Sequence, residues 1–292
     1  MVAARRQSRD QNPMTHDIEA VAMRAARAAG RVHLARLLKT SVSYKANAID
    51  LVTEADREAE AAVIGVIRRS FPDHAVLSEE SGASTGRNHD RGSEHRWIID
   101  PLDGTTNFAH GYPQFCVSIA YERRGRIEFG VVYDALKKEC FTARRGNGAR
   151  LNGAPIRVSR TPRLATALLG TGFPYDRRER RQFYLCFWES FMLRAQGVRR
   201  TGAAALDLCY VACGRCDGFW EFGLNAWDIA AASLIVAEAG GRVTNMDGTR
   251  LDLDGRRVLA TNRRLHRAMV AAIAEAFPEA ERRQAAMIAA EA

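Results

Sequence analysis

The sequence lacks any long hydrophobic run. Across its 292 residues, no stretch approaches the roughly 18 apolar residues that a transmembrane helix needs. Near the N-terminus, Arg5 and Arg6 are followed by the polar residues 7–12, which do not form the apolar core of a signal peptide. We therefore expect a cytoplasmic protein with no membrane partner. Residues 1–13 are interpreted as a disordered basic extension, with Met14 as an alternative start.

Cysteine is also sparse, with six residues spread between Cys116 and Cys216. A chain of this length can bury a large core, so it does not need a disulfide framework. Only Cys213 and Cys216 have the spacing of a redox or metal motif, and a zinc site would need a second ligand pair. Cys209 and Cys213 share one face of a predicted helix, where cysteine packs as a small apolar residue. We interpret these residues as core thiols.

Acidic charge is in the minority, because the formal net charge is +9. Such a surplus favours anionic partners, either phosphorylated substrates or nucleic acid. Arginine pairs are scattered along the chain without interleaved aromatic residues or a recognised nucleic-acid-binding module. Solvated arginine-rich surfaces are therefore the preferred interpretation, and a nucleic acid or transcription complex stays open as a partner. The pairs are at 177–178, 180–181, 199–200, 256–257 and 263–264.

The apolar pattern predicts an α/β protein in two parts, with no internal repeats. Residues 14–155 are expected to form an α+β domain that carries most of the acidic motif residues. Residues 156–278 are expected to form an α/β domain, followed by a tail at 279–292. Predicted helices cover 15–39, 53–70, 177–195, 203–213, 226–239 and 263–277. Predicted strands cover 75–78, 97–99, 115–121, 127–133, 164–170, 197–200, 216–221 and 258–260, with a loop at 80–94 and a hairpin turn at 124–125.

The most informative segment is residues 97–108, WIIDPLDGTTNF. An apolar strand runs into Asp100 and Asp103, two carboxylates that should repel each other when buried together. A bound divalent cation would relieve that cost, and hard Mg2+ prefers acidic and carbonyl oxygens. Gly104 and Thr105 can then present free backbone N–H groups to an anion at a helix start. The segment therefore predicts a metal beside a phosphate, although such residues also form ordinary turns.

Further acids lie at the predicted ends of helices and strands. Asp56 is in the first turns of a helix, and Glu79 and Glu80 follow a strand directly. Glu221 ends another strand, and Asp228 begins a long apolar helix. Each of them alone could simply cap a helix. As a set, together with the segment 97–108, they favour a shared metal site.

Several separated motifs together resemble the inositol monophosphatase family. They are SEES at 78–81, WIIDPLDGTTNF at 97–108 and WDIAA at 227–231, supported by DLVT at 50–53 with Asp56 and by Gly240-Gly241. The resemblance covers roughly residues 15 to 277. The stretch RRTGAAALD at 199–207 resembles the bacterial branch that includes the extragenic-suppressor phosphatases. The implied fold is a layered α/β/α/β/α sandwich of the inositol monophosphatase and fructose-1,6-bisphosphatase type.

The resemblance also implies a metal-dependent active site. Two to three Mg2+ ions are expected, with lithium-sensitive hydrolysis of a phosphate monoester by metal-activated water. By motif position, Glu79, Asp100 and the Leu102 carbonyl would bind the first ion. Asp100, Asp103 and Asp228 would bind the second, and Glu79 with Asp56 would lie near a weaker third.

The same resemblance assigns the remaining site residues. Glu79, Thr105 and Asp56 would activate the water, and Lys45 matches a loop lysine that screens charge near the third ion. The substrate contacts would come from Asp103, Gly104, Thr105, Ala204, Glu221 and Asp228.

A small phosphorylated polyol is the expected substrate, with myo-inositol 1-phosphate first. Fructose 1,6-bisphosphate, histidinol phosphate and 3′-phosphoadenosine 5′-phosphate are the alternatives. A homodimer is also implied. The bacterial resemblance and the basic charge leave open a second role as an RNA-binding or transcription-complex factor.

Overall fold

The computed structural model describes residues 13–39, 42–44, 51–84 and 94–291. Lys45 and residues 1–12 of the predicted basic extension lie outside these ranges. The helices in chain order are α1 (Pro13–Arg36), α2 (Glu54–Ser70), α3 (Thr105–Ala109), α4 (Arg181–Met192), α5 (Ala204–Ala212), α6 (Ala226–Glu238) and α7 (His266–Glu291). None of them is both long and apolar enough to cross a lipid bilayer.

The strands form one short hairpin and two larger sheets. They are β1 (Val42–Tyr44), β2 (Leu51–Thr53), β3 (Ala75–Ser78), β4 (Gly82–Ser84), β5 (His95–Asp103), β6 (Cys116–Arg123), β7 (Arg126–Asp134), β8 (Glu139–Arg144), β9 (Ala149–Leu151), β10 (Ala154–Pro155), β11 (Leu168–Thr171), β12 (Gly197–Arg199), β13 (Gly218–Phe222), β14 (Arg242–Thr244) and β15 (Arg257–Thr261). The eight-stranded sheet has the order β10-β9-β8-β7-β6-β5-β3-β4, and the five-stranded sheet has the order β12-β11-β13-β15-β14. Helices flank both sheets.

Three apolar clusters arrange these elements in layers. α1 and α2 pack on one face of the eight-stranded sheet, against residues such as Trp97 and Ile99. α5 and α6 fill the space between the two sheets, where Ile98 and Ala120 face them. α4 and α7 cover the far face of the five-stranded sheet around Trp220. The predicted α/β/α/β/α sandwich is confirmed.

The hairpin of β6 and β7 shows how the sequence pattern encodes this layering. Its larger residues, such as Ile119, face α1 and α2, and smaller ones, such as Ala120, face α6. Small side chains are needed there because α6 lies very close to the sheet: a Cβ added at Gly130 would be 2.7 Å from the Ala231 carbonyl oxygen. The predicted turn is confirmed, with Arg124 and Gly125 both at positive φ.

The predicted element boundaries needed several corrections. Within the predicted loop 80–94, residues 82–84 form β4. The short strand β14 was not predicted, and residues 164–166 are a 3-10 turn ahead of β11. α7 does not stop at residue 277 but continues past Pro278 to Glu291, so residues 279–291 of the predicted tail are helical. The extra turns are held in place because Ala280 is buried and Gln284 bonds to the segment before α4.

Candidate active site

Asp100 and Asp103 lie at the end of β5, where the strand pairing with β6 becomes irregular. The Leu102 N–H donates a hydrogen bond to Asp100 Oδ1 at 3.0 Å, so the chain turns tightly around this carboxyl group. Both carboxyl groups are buried. The predicted pair of neighbouring acids at a strand end is therefore present.

Asp103 joins the two sheets through the start of α5. Its carboxyl oxygens accept hydrogen bonds from the N–H groups of Ala204 at 3.2 Å and Ala205 at 2.7 Å. Burial raises the pKa of Asp103 to about 7, although these two N–H bonds favour the ionised form. The positive end of the α5 dipole adds to that effect. The Ala204 N–H, predicted to contact substrate, thus also positions an acid.

Asp228 begins α6 and faces the same two carboxyl groups. The Asn225 N–H donates to its Oδ2 at 2.6 Å, as the reciprocal half of a capping box. The Asp100 carboxyl group lies close enough to that of Asp228 to influence its pKa. Burial, followed by the negative charge of Asp103, raises the pKa of Asp228 to about 7.

Glu79 completes the acidic cluster. It follows β3 directly, and its N–H donates to the Ile99 carbonyl at 3.2 Å. Burial raises the pKa of Asp100 well above its ordinary value, and the charges of Glu79, Asp103 and Asp228 raise it further. Four acids from three distant segments of the chain therefore act on one another in space.

Asp56 and Thr105 lie behind this cluster. The Thr53 N–H and hydroxyl both donate to Asp56 Oδ2 at 2.7 Å, and Thr53 also caps α2, so the two residues form a capping box. The Thr105 hydroxyl is 2.9 Å from Asp56 Oδ1 and 3.0 Å from the Leu102 carbonyl oxygen. Thr105 therefore links Asp56 to the segment 97–108.

A cavity of about 700 Å³ contains most of the predicted site residues. Asp56 is connected to it through Thr105, and Lys45 lies outside the described residues. The predicted residues in the cavity lining are Glu79, Asp100, Leu102, Asp103, Gly104, Thr105, Ala204, Glu221 and Asp228.

Glu221 occupies a part of the cavity that Gly172 keeps open. A Cβ at Gly172 would be 2.0 Å from Glu221 Oε1, so any larger residue would displace the carboxyl group. Burial raises the pKa of Glu221 well above its ordinary value, and the nearby positive charge of Arg200 opposes this shift. The buried Glu221 carboxyl group is thus harder to ionise than an exposed one.

Two buried residues that support the site were not identified from the sequence. Glu60 on α2 accepts hydrogen bonds from the Ser78 hydroxyl and from the N–H groups of Glu80 at 3.1 Å and Ser81 at 3.3 Å. It therefore fixes the turn that carries Glu79. His33 on α1 contacts the Pro101 carbonyl through Nε2 at 2.8 Å. No local motif marks either residue, because both act on segments distant in sequence.

The donor chemistry of the acidic cluster fits a hard divalent cation. Its side chains offer only oxygen atoms, and their pKa values are raised by burial and crowding, a cost that bound cations would relieve. Among the described residues, no three acidic, histidine or cysteine side chains stand as a ready-made metal cluster. The carboxyl oxygens of Asp103 and Asp228 instead accept hydrogen bonds from backbone N–H groups. Cation binding would release protons from these carboxyl groups, because carboxylate ligands bind a metal in their ionised form.

Comparisons with known proteins agree with this site. The model of the inositol monophosphatase family matches residues 14–280. A protein of Pseudomonas aeruginosa named Nus factor SuhB is 45% identical over 268 residues, which cover 90% of this chain and 98% of that protein. The inositol-1-monophosphatase of Synechocystis is 48% identical over 236 residues, with 80% of each chain covered.

Solved structures show the same fold. The extragenic suppressor protein suhB of Bartonella henselae aligns with a TM-score of 0.82 and 40% identity, over 88% of this chain and 98% of that one. The predictions of the family and of a phosphatase enzyme are confirmed. The chain belongs to the inositol monophosphatase family.

Proposed function

We propose that the protein hydrolyses myo-inositol 1-phosphate to myo-inositol and phosphate in a Mg2+-dependent reaction. The observation that carries this proposal is the convergence of Asp100, Asp103 and Asp228, whose pKa values are all raised, in one cavity. The family membership supports the reaction class, and the Synechocystis relative's name supports the substrate.

The acidic residues would hold two to three Mg2+ ions. Glu79, Asp100 and the Leu102 carbonyl would bind the first, Asp100, Asp103 and Asp228 the second, and Glu79 near Asp56 a weaker third. When bound, these ions would lower the pKa of a coordinated water and stabilise the departing alkoxide.

The protein's own groups orient the nucleophile. Because the Thr105 hydroxyl can donate to Asp56 Oδ1, its oxygen keeps lone pairs that can accept a hydrogen bond from the attacking water. The two bonds from Thr53 keep Asp56 in place for this role. Glu79, which also lines the cavity, would accept the proton of that water.

Different residues would bind the phosphate group and the polyol ring of the substrate. The N–H groups of Gly104 and Thr105 would contact the phosphate oxygens, where negative charge increases during attack. Glu221 would hydrogen-bond a ring hydroxyl, with the Ala204 backbone beside it. Asp103 and Asp228 line the cavity between these groups.

The test is phosphate release by the purified full chain from a panel of esters. We expect hydrolysis with Mg2+, none after chelation by EDTA, inhibition by lithium, and the highest kcat/KM on myo-inositol 1-phosphate. The competing esters are fructose 1,6-bisphosphate, histidinol phosphate and 3′-phosphoadenosine 5′-phosphate. Activity that persists in EDTA would overturn the metal assignment, and a last place for inositol 1-phosphate would overturn the substrate.

A second role in a transcription complex has separate support. Relatives 42–46% identical to this chain are named Nus factor SuhB, and the chain carries a net charge of +9. Asp103→Asn should abolish hydrolysis and leave RNA or transcription-complex binding intact. An RNA affinity that does not weaken with added salt would contradict binding through the basic surface.

The remaining expectations concern the assembled protein. We propose a homodimer in the cytoplasm. Light scattering on the purified protein should give twice the 32.3 kDa mass of the chain. A single-chain mass at micromolar concentration would contradict the dimer.

A further inference from the structure

The last turns of α7 lie beyond the part of the chain that matches the family. That match covers residues 14–280, whereas α7 continues to Glu291. These turns are nonetheless packed against the protein, because Gln284 is only 8% exposed. A polar side chain is rarely buried without hydrogen-bond partners. The partners of Gln284 therefore indicate what the end of α7 contributes.

Both ends of the Gln284 amide group bond to the start of α4. Its Nε2 donates to the Glu179 carbonyl at 2.8 Å, and its Oε1 accepts from the Phe183 N–H at 3.3 Å. Glu179 precedes the helix, and Phe183 is the third residue within it. One side chain thus fixes the segment before α4 and the first turn of that helix together.

The start of α4 has no cap of its own. Arg180, the residue before the helix, makes no side-chain capping bond, and the first turn contains no acidic residue. Arg180 and Arg181 instead place positive charge where the helix dipole is already positive. The first N–H groups of a helix need acceptors from outside the helix. Gln284 supplies one for the Phe183 N–H, and so takes the part of the missing cap.

The segment before α4 forms one wall of the cavity. Residues 173–177 line the cavity, as do Arg180 and Phe183. This wall adjoins Glu221, because a Cβ at Gly172, just before the segment, would be 2.0 Å from Glu221 Oε1. The wall therefore lies on the side where the polyol ring is proposed to bind.

The same wall belongs to the basic end of the cavity. Five arginines line that end, and they come from the segments before α4, after β12 and at the start of β15. Within the part of the chain that the structure describes, none of the five forms a salt bridge. Their positions thus depend on the backbone that carries them. The five are Arg177, Arg180, Arg200, Arg256 and Arg257.

Other hydrogen bonds of this wall are local. The Arg180 N–H donates to the Asp176 carbonyl at 2.9 Å, and the Tyr184 hydroxyl donates to Asp176 Oδ1 at 2.8 Å. Both bonds tie the segment to itself or to α4. The Gln284 bonds connect it to α7, whose Phe277 ring packs at 5.0 Å from the Phe187 ring of α4. They therefore anchor the wall to a packed pair of helices.

We infer that Gln284 is a positioning residue for the substrate site: by holding the start of α4, it keeps the cavity wall beside Glu221 in the arrangement that binds the polyol part of the ester. The inference rests on the proposed function, because it assigns that part of the substrate to this wall. Gln284 does not line the cavity. Its removal should therefore weaken ester binding and leave the chemical step unchanged.

The experiment measures phosphate release from myo-inositol 1-phosphate at saturating Mg2+ by the unaltered full chain and by Gln284→Ala. Glu281→Ala is the matched control, because Glu281 is exposed one turn earlier in α7 and glutamate and glutamine have similar helix propensities. Inorganic phosphate is tested as a competitive inhibitor, since it reports binding at the acidic end alone. Hydrogen exchange compares the backbone of residues 176–187 with that of residues 97–108.

We expect Gln284→Ala to raise KM by about three- to tenfold, because a wall that spends only about a tenth to a third of its time in the binding arrangement lowers the apparent affinity by that fraction. The kcat, the Mg2+ requirement and the inhibition constant of inorganic phosphate should not change. Hydrogen exchange should become faster in residues 176–187 only. Gln284→Glu keeps an acceptor for Phe183 but loses the donor to Glu179, so its KM should be intermediate. Glu281→Ala should match the unaltered protein.

Two results would overturn the inference. One is an unchanged KM in a Gln284→Ala protein that thermal unfolding shows to be folded. The other is an equal weakening of ester and inorganic phosphate binding, which would indicate a general disturbance of the site. If Gln284→Ala does not fold, Gln284→Glu carries the test, and a KM equal to that of Glu281→Ala contradicts the positioning role. If the unaltered chain hydrolyses no ester with Mg2+, the proposed function itself has failed, so the two failures are distinguishable.

Discussion

The two ends of the cavity differ in charge and in origin. Glu79, Asp100 and Asp103 come from the ends of strands in the eight-stranded sheet. Backbone N–H groups donate to Asp100 and Asp103, although the charges of the three acids repel one another. The arginines come from segments around the five-stranded sheet and have no carboxylate partner among the described residues. The acidic end thus fits metal ions and the reacting phosphate. The basic end fits the rest of the substrate.

Asp228 shows that the acidic end is not built by the eight-stranded sheet alone. It belongs to α6, which lies between the two sheets, yet its carboxyl group influences and is influenced by that of Asp100 at the acidic end. Asp103, at the end of β5, accepts hydrogen bonds from the N–H groups that begin α5, and so links the eight-stranded sheet to the helix layer between the sheets. The acidic end therefore exists only when both parts of the chain are packed together.

Removing an acid should give the largest effect. Asp100→Asn keeps a similar shape, but it removes a charge from both proposed metal positions. We expect kcat/KM to fall by about a thousandfold or more. Phosphate release across a Mg2+ titration measures this. A variant with more than a tenth of the normal activity would contradict a metal role for the acidic end.

Weakening the support of Glu79 should give an intermediate effect. Glu60→Gln replaces an oxygen that accepts from Ser78 and from the turn 79–81. Substituting a residue that orients a metal ligand typically lowers metal affinity or activity by about ten- to hundredfold. We expect a loss in this range for Glu60→Gln, mainly as an increase in the Mg2+ concentration needed for half-maximal activity. Glu58→Gln on the exposed side of the same helix is the control, because Glu58 pairs with Arg36 at the surface and does not line the cavity. Equal Mg2+ requirements for the two variants would argue against the positioning role.

Substituting His33 should lower Mg2+ affinity by a smaller factor, because His33 contacts the segment 97–108 through a single hydrogen bond. Burial lowers the pKa of His33 to about 4, so at neutral pH the ring is uncharged and Nε2–H can donate to the Pro101 carbonyl. His33→Phe removes that donor, and we expect up to about a tenfold loss of Mg2+ affinity. Metal titration calorimetry measures it, with His33→Gln as a partial rescue. An unchanged affinity in His33→Phe would show that the bond does not position the acids.

The smallest expected effect is a change in the pH dependence of the protein's thermal stability. Asp103 and Asp228 have pKa values of about 7 in the folded protein, against an ordinary value of 3.8. Between about pH 4 and pH 7 the folded state therefore holds more protons than the unfolded state, and the stability of the metal-free protein falls as pH rises through this window. We expect Mg2+ to raise Tm by a few degrees more at pH 8 than at pH 5.5. Thermal unfolding in EDTA and in Mg2+ measures the difference.

Thermal unfolding of Asp100→Asn tests whether the crowded acidic charges destabilise the metal-free protein. Without metal, this variant should be more stable than the unaltered protein above pH 7, because one of the crowded charges is gone. With Mg2+, the order should reverse. A metal-free protein whose Tm rises steadily from pH 5 to pH 8 would contradict the crowding of acids at this end.

The residues of the acidic end could be picked out from the sequence because their signals are local. The spacing of Asp100 and Asp103 after an apolar strand, and the capping box of Thr53 and Asp56, are each visible within a few residues. The supporting residues were missed because their partners are far along the chain. His33 is 68 residues from Pro101, and Gly172 is recognisable only from the Glu221 carboxyl group beside it.

The elements of the fold likewise divide into those with a local sequence pattern and those that depend on distant contacts. The long helices and the alternating hairpin were predicted, because periodic burial leaves a regular pattern in the sequence. Short edge strands such as β4 and β14 have only three residues each, too few for any period to emerge. The end of α7 depends on contacts with the segment before α4, which no local pattern reports.

A crystal of the protein soaked in Mn2+, with anomalous diffraction recorded at the manganese edge, would test the metal site most directly. We expect at least two anomalous peaks in the cavity, bound by carboxyl oxygens of Asp100, Asp103 and Asp228 and with Glu79 beside one of them. A map with no peak between these side chains, with manganese present elsewhere in the crystal, would contradict it.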